Sequence, residues 1–109
     1  TCTTVAGGNG EGSGVNQFSH PRGIAIDADG NYVVADGGNN QRVQLCAPGA
    51  STCTTVAGGN GEGSGVNQFS HPRGIAIDAD GNYVVADGGN NQRVQLCAPG
   101  ASTCTTVAG

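Results

Sequence analysis

A chain of 109 residues with 21 glycines, four prolines, no methionine and no tryptophan has the composition of a small soluble β protein, and no apolar run approaches the roughly 20 residues that a membrane helix needs. Four arginines, no lysine and eight acids leave a formal net charge of −4, which disfavours nucleic acid as a partner. No signal peptide is recognisable, and localisation is left open.

The first predicted strand is Thr3–Ala6. The polar stretch GGNGEGSGVNQFSHP follows, and its glycines exclude a helix or a central strand, so it reads as a crossing loop. Gly23–Asp27 (GIAID) is the next strand, with Ile24 and Ile26 on one face and Gly23 and Ala25 on the other, a pattern suited to packing on both sides. Asp29-Gly30 signals a hairpin, because glycine accepts the positive φ of a tight turn. Asn31–Asp36 (NYVVAD) should therefore return antiparallel. A turn at Gly37-Gly38-Asn39-Asn40 leads into Arg42–Cys46 (RVQLC), and Ala47-Pro48-Gly49-Ala50 turns the chain into Thr54–Ala57. No segment carries a helical period.

This pattern occurs twice. Residues 1–51 recur without a substitution as 52–102, and residues 103–109 repeat the TCTTVAG that opens the chain. The expected organisation is repeat 1 over 1–51, repeat 2 over 52–102 and an overlapping outer strand over 103–109. Copies that have not drifted are expected from a gene engineered or reconstructed at the bench, with a very recent duplication as the alternative. A single repeat has too few apolar residues to bury a core alone, so stability must come from stacking.

A four-stranded antiparallel meander repeated at such a period is a propeller blade. The run HPRGIAIDADGNYVVADGGNNQRVQL, His20–Leu45 and again His71–Leu96, resembles an NHL repeat, with its P-x-G-I-A-x-D strand, D-G turn, V-A-D strand and R-V-Q-L strand. The segment 39–42 carries one residue more than the usual motif and lacks its eponymous histidine. The resemblance implies an all-β propeller in which GIAID is innermost and TCTTVAG outermost.

NHL propellers commonly have six blades, so two blades leave apolar faces in water, among them Ile24, Ile26, Val33, Val34, Val43 and Leu45. About 500 Å² per exposed face would be worth on the order of 12 kcal/mol before association costs. The expected partner is the chain itself, as a homotrimer of six blades first and a homotetramer of eight second, closed head to tail. Thr1–Gly7 and Thr103–Gly109 are then two candidates for one edge strand at each junction.

In the meander, Cys46 ends the third strand and Cys53 opens the fourth, and a short turn brings them face to face. A disulfide is expected there and at Cys97–Cys104, with free thiols or a metal as alternatives. Cys2 is left unpaired or available between chains. Such pairs point to a secreted parent repeat.

His20 and Arg22, with His71 and Arg73, precede the inner strand and form a candidate ring at the channel mouth, where arginine could hold an anion and histidine a metal. The plainer reading pairs Arg22 and Arg42 with Asp27 or Asp36. Asp27–Asn31 resembles the start of a calcium loop, but its glycine is misplaced and the twelfth position is Gly38, so a hairpin turn is preferred. The glycines of 7–14 match no phosphate loop. Nothing pairs Ser13, Ser19 or Ser51 with His20 as a nucleophile and base. Enzymatic NHL propellers such as the amidating lyases use asymmetric ligand sets, which identical blades lack. The expectation is a self-assembling scaffold without catalytic activity or cofactor. The alternative is a module binding peptide, glycan or anion at the channel mouth.

Overall fold

Strands form where β-branched residues alternate between glycine-bearing turns. In the computed structural model, which describes residues 2–38, 40–50, 52–61, 63–89, 91–101 and 103–109, they are β1 (Pro21–Ile26), β2 (Tyr32–Asp36), β3 (Arg42–Cys46), β4 (Thr54–Gly58), β5 (Pro72–Ile77), β6 (Tyr83–Asp87), β7 (Arg93–Cys97) and β8 (Cys104–Ala108). They make two four-stranded sheets in sequential order, β1-β2-β3-β4 and β5-β6-β7-β8, with every pairing antiparallel. Among the described residues there is no helix.

Register divides each sheet into two chemically distinct faces. Ile24 lies opposite Val34 and Ile26 opposite Tyr32, making an isoleucine face. Gly23 and Ala25 lie opposite Ala35 and Val33, and Val43 and Leu45 carry this second, valine face onto β3. The valine face of the first blade packs on the isoleucine face of the second. The resulting core joins Val33, Val43 and Ala57 to Phe69, Tyr83 and Val85, with Ile75 and Ile77 against it. β1 and β5 meet closest. A Cβ on Gly23 would stand 2.8 Å from the Arg73 carbonyl oxygen and from Gly74 Cα, so only glycine permits this approach of backbones.

The structure differs from expectation in three places. Thr3–Ala6 is not a strand, because no RVQLC segment lies beside it to offer a ladder. The hairpin after β1 is a five-residue loop rather than a two-residue turn: the Asp27 amide donates to the Asn31 carbonyl at 3.1 Å, and Gly30 takes a φ of 84° inside it. Val33 and Val43 are wholly buried between the blades, and Val34, on the open isoleucine face, is only 6% exposed. Their repeat counterparts Val84 and Val94 are half-buried instead. The turn at 37–40 includes Asn39, which lies outside the described residues, as does Ser51.

Candidate functional site

The seam between the blades is built by the segment that leads into β5. Phe69, 1% exposed, sits against Gly58, whose positive φ of 71° turns the end of β4; a Cβ there would stand 2.5 Å from the ring. Pro72 is buried with its carbonyl oxygen against Gly37. Gln41, only 3% exposed, accepts a hydrogen bond from the His71 backbone N–H and donates to the Gly38 carbonyl at 2.7 Å. Polar backbone groups at the seam are thereby matched, as a buried interface requires.

Each half of the seam has an identical but open counterpart on the opposite side of the blade pair. Ile24 is 60% exposed where Ile75 is half-buried, and Pro21 is exposed where Pro72 is buried. On the other side Ala86 and Gln92 are exposed where Ala35 and Gln41 are buried. The open isoleucine face forms an apolar groove of about 380 Å³ lined by Val5, Ala6, Phe18, Arg22, Ile24 and Val34. The open valine face carries a groove of about 270 Å³ lined by Ala86, Gly88, Gln92, Val94 and Ala108. The residues equivalent to this second groove in the first blade are those that receive Phe69 and Pro72.

The loop that crosses each blade is held by a buried charge pair. Arg42 Nε donates to Asp36 Oδ2 at 3.1 Å, with side chains 8% and 0% exposed. The same guanidinium donates to the carbonyls of Ser13, Gly14 and Gln17. Asp36 also accepts the Ser19 N–H at 2.7 Å. Arg93 and Asp87 repeat the pair at 3.1 Å. Arg42 thus takes the part of the plainer reading with Asp36, whereas Arg22 is exposed and, among the described residues, no ion pair joins it to Asp27 or Asp36.

Cys46 and Cys53 are joined, as are Cys97 and Cys104, each with an S–S distance of 2.06 Å, and Cys2 is free and exposed. His20 lies at the edge of its blade with a φ of 62°; its Nδ1 is 3.5 Å from Ser19 Oγ and 4.0 Å from Glu11 Oε2. Ser19 Oγ donates to Glu11 Oε2 at 2.9 Å, so the trio ties the loop to the residue that precedes β1. Arg73 is exposed and lays its side chain along Gly88. Among the described residues no three His, Cys, Asp or Glu side chains are grouped to hold a metal.

Asp27 lies below the ordinary carboxylate range, chiefly because it accepts the Asn31 backbone N–H, and Asp78 does so through Asn82. The Tyr83 hydroxyl is pushed up by burial and by the Asp27 charge across the seam.

Sequence reasoning missed Gln41, whose role depends on a backbone bend, and Phe18 and Phe69. The available signal for these two was a single aromatic residue within an otherwise polar loop.

The NHL repeat family model matches residues 18–44 and 69–95. The chain belongs to the NHL-repeat family. The matched residues run from Phe18 or Phe69 through β1 to β3 or β5 to β7, so the NHL motif includes the seam-forming segment and leaves out the outer strand. Similar proteins include peptidyl-glycine alpha-amidating monooxygenase A of Xenopus laevis, 35% identical over 88 residues, 80% of this chain and 9% of that protein. Peptidyl-alpha-hydroxyglycine alpha-amidating lyase 2 of Drosophila melanogaster is 31% identical over 83 residues, 76% of this chain and 20% of that protein. NHL-repeat-containing protein 4 of Mus musculus is 33% identical over 76 residues, 70% of this chain and 48% of that protein. The chain therefore spans less than half the length of these relatives. Two of them are named as enzymes, and that corrects the expectation that the chain is no enzyme and lacks catalytic activity.

Proposed function

We propose that the chain assembles head to tail with copies of itself into a closed propeller, through the same pairing of valine and isoleucine faces that joins its own two blades. One observation carries this reading. The open isoleucine face of the first blade is identical in sequence to the face buried on the second, and the open valine face of the second is identical to the one buried on the first. A heterologous contact of this kind repeats until rotation closes the ring. Three copies make six blades and are ranked first; four make eight. Native mass spectrometry across a concentration series tests the proposal. A trimer is the expected species, a tetramer would replace six blades with eight, and a single chain at every concentration would overturn the reading.

The relatives named for peptidyl-glycine chemistry favour a second reading of the assembled ring, in which it binds a peptide, glycan or anion. His20, Arg22, His71 and Arg73 lie at the start of the first strand of each blade, and closure would repeat them around one rim. Arginine there suits a carboxylate or other anion, which it can hold through two parallel hydrogen bonds. Titration of the assembled species with a carboxylate-terminated peptide, followed by calorimetry for wild type and Arg22→Ala/Arg73→Ala, separates the readings. Equal heats in both would remove the rim as the site.

A further inference from the structure

We propose that the groove between the two blades, at the end where Asp27 and Asp29 follow β1 and Tyr83 opens β6, binds an alkylammonium group such as a lysine side chain. The site belongs to the seam within one chain and does not depend on association of copies.

A groove of about 310 Å³ crosses the seam at this end. The first blade supplies Asp27, Asp29 and Leu45, and the second supplies Ile77, Tyr83 and Pro99. Its volume lies at the small end of ligand-sized pockets, which run from roughly 300 to 1,000 Å³. Neither blade forms it alone, because the carboxylates come from the loop after β1 and the phenol from the first residue of β6. Tyr32, the repeat counterpart of Tyr83, lies in the open isoleucine groove, whose lining includes no aspartate.

Tyr83 is only 4% exposed, and among the described residues nothing hydrogen-bonds to its hydroxyl. No described side-chain nitrogen or oxygen is both sealed from solvent and without a partner. The hydroxyl therefore keeps part of that small exposure, and it opens into the groove. Burial, and after it the Asp27 charge, holds the phenol proton in place. The phenol oxygen is left with lone pairs that no protein donor uses.

Asp27 enters the groove ionised, since the Asn31 backbone N–H holds its carboxyl below the usual range. Its Oδ1 accepts the Asp29 and Asn31 amides at 3.0 and 2.9 Å, and its Oδ2 accepts Asn31 Nδ2 at 3.1 Å, so the carboxylate is fixed in place. Asp29 is exposed, and among the described residues no ion pair neutralises either aspartate. Two negative charges thus share a concave wall with three apolar side chains and no cation.

An alkylammonium fits that wall in both its parts. Its head has three N–H donors and no acceptor, and the groove offers two carboxylates and a phenol oxygen. Leu45, Ile77 and Pro99 suit the methylene stem that carries such a head. Calcium is a poorer match, because it takes six to eight oxygen ligands, as counted roughly across known sites. Among the described residues no three His, Cys, Asp or Glu are grouped. With no lysine in the sequence, another molecule must bring the ammonium.

The test follows amide and tyrosine-ring NMR shifts of the chain during titration with a capped Gly-Lys-Gly peptide, the same peptide acetylated on its lysine, and cadaverine. The Gly30 amide and Tyr83 ring should move saturably with the lysine peptide or cadaverine and stay still with the acetylated peptide. Tighter binding of the peptide assigns the ammonium to a protein side chain; tighter binding of cadaverine assigns it to a free amine. Asp29→Asn/Asp80→Asn should weaken binding about tenfold, the worth of one charge-assisted hydrogen bond. Tyr32→Phe/Tyr83→Phe should also weaken it while the urea midpoint stays at the wild-type value. Equal affinity in the asparagine variant, equal shifts with the acetylated peptide, or saturation by calcium chloride and not by amines would each overturn the site. Both repeats are altered in each variant, so the readout is the same in a single chain and in a closed ring. Failure here leaves the association standing.

Discussion

Gln41 of the first blade accepts a hydrogen bond from the backbone N–H of His71 in the second, whereas Gln92, its repeat counterpart, folds back to donate to the carbonyls of Gly88 and Gly89. Both side chains cap their own turn, Gln41 at the Gly38 carbonyl, but only Gln41 also connects two blades. Only the presence of a following blade separates them.

Gln41→Ala should therefore destabilise the single chain by about 1 kcal/mol, the net value of one interior hydrogen bond, and somewhat more if the His71 N–H is left without water. Gln92→Ala should be nearly silent in the single chain and as costly as Gln41→Ala in an assembled ring. Urea unfolding at low and high protein concentration reads both. Equal costs at low concentration would contradict the assignment of Gln41 to the seam.

Phe69→Ala removes the largest fully buried side chain of the seam core and should cost about 3 to 5 kcal/mol. Phe18→Ala, at the half-buried equivalent, should cost clearly less in the single chain. Thermal unfolding of the two variants side by side gives the difference, and its disappearance on assembly would mark the open groove as a second seam.

Asp36→Ala strips the carboxylate partner from a buried guanidinium and removes the bond that the Ser19 N–H donates to it, so a loss of about 3 to 5 kcal/mol is expected. Because Arg42 also holds three loop carbonyls, the segment 9–17 should become the first site of proteolytic cutting. Cutting elsewhere with the loop intact would argue that other contacts hold it.

Asp27 and Asp78 bind protons less readily when folded, because their carboxylates accept the N–H groups of Asn31 and Asn82. Their contribution is complete above the unfolded carboxylate range, near about pH 4, and fades as pH falls below that range through the lowered folded value. Asp27→Asn/Asp78→Asn should flatten the fall of the urea midpoint between about pH 4 and 2 relative to wild type. An unchanged slope would show that other carboxylates carry the acid sensitivity.

Cys53→Ser opens a loop with a sequence separation of seven and should cost about 2 to 3 kcal/mol by release of chain entropy. Reducing wild type opens both the Cys46–Cys53 and the Cys97–Cys104 bridge and should cost about twice as much. Guanidinium titrations of the oxidised variant, and of wild type with and without reductant, check the ratio.

The strand series was legible because it depends on local chemistry. β-Branched residues alternate over four to six positions, glycine-bearing turns stand between them, and Cys46 and Cys53 flank a turn too short to part them. The Asp-Gly signal points to a tight turn and does not reveal that the Asp27 side chain caps the amides of Asp29 and Asn31 in a five-residue loop. Thr3–Ala6 has the composition of β4 and β8 and so the local preference of a strand. A strand also needs a neighbour, and composition cannot supply one.

The sequence by itself determined the all-β meander, the two faces of each sheet and the NHL character of the repeat, since all three follow from side-chain alternation and turn chemistry within some 50 residues. It could not distinguish Ile24 from Ile75 or Ala35 from Ala86, because identical residues in identical neighbourhoods have identical local preferences. The tertiary structure decided which of each pair is covered, through the stacking of the valine face of the first blade on the isoleucine face of the second. Burial is a property of what stands opposite in space, and each repeat meets a different neighbour.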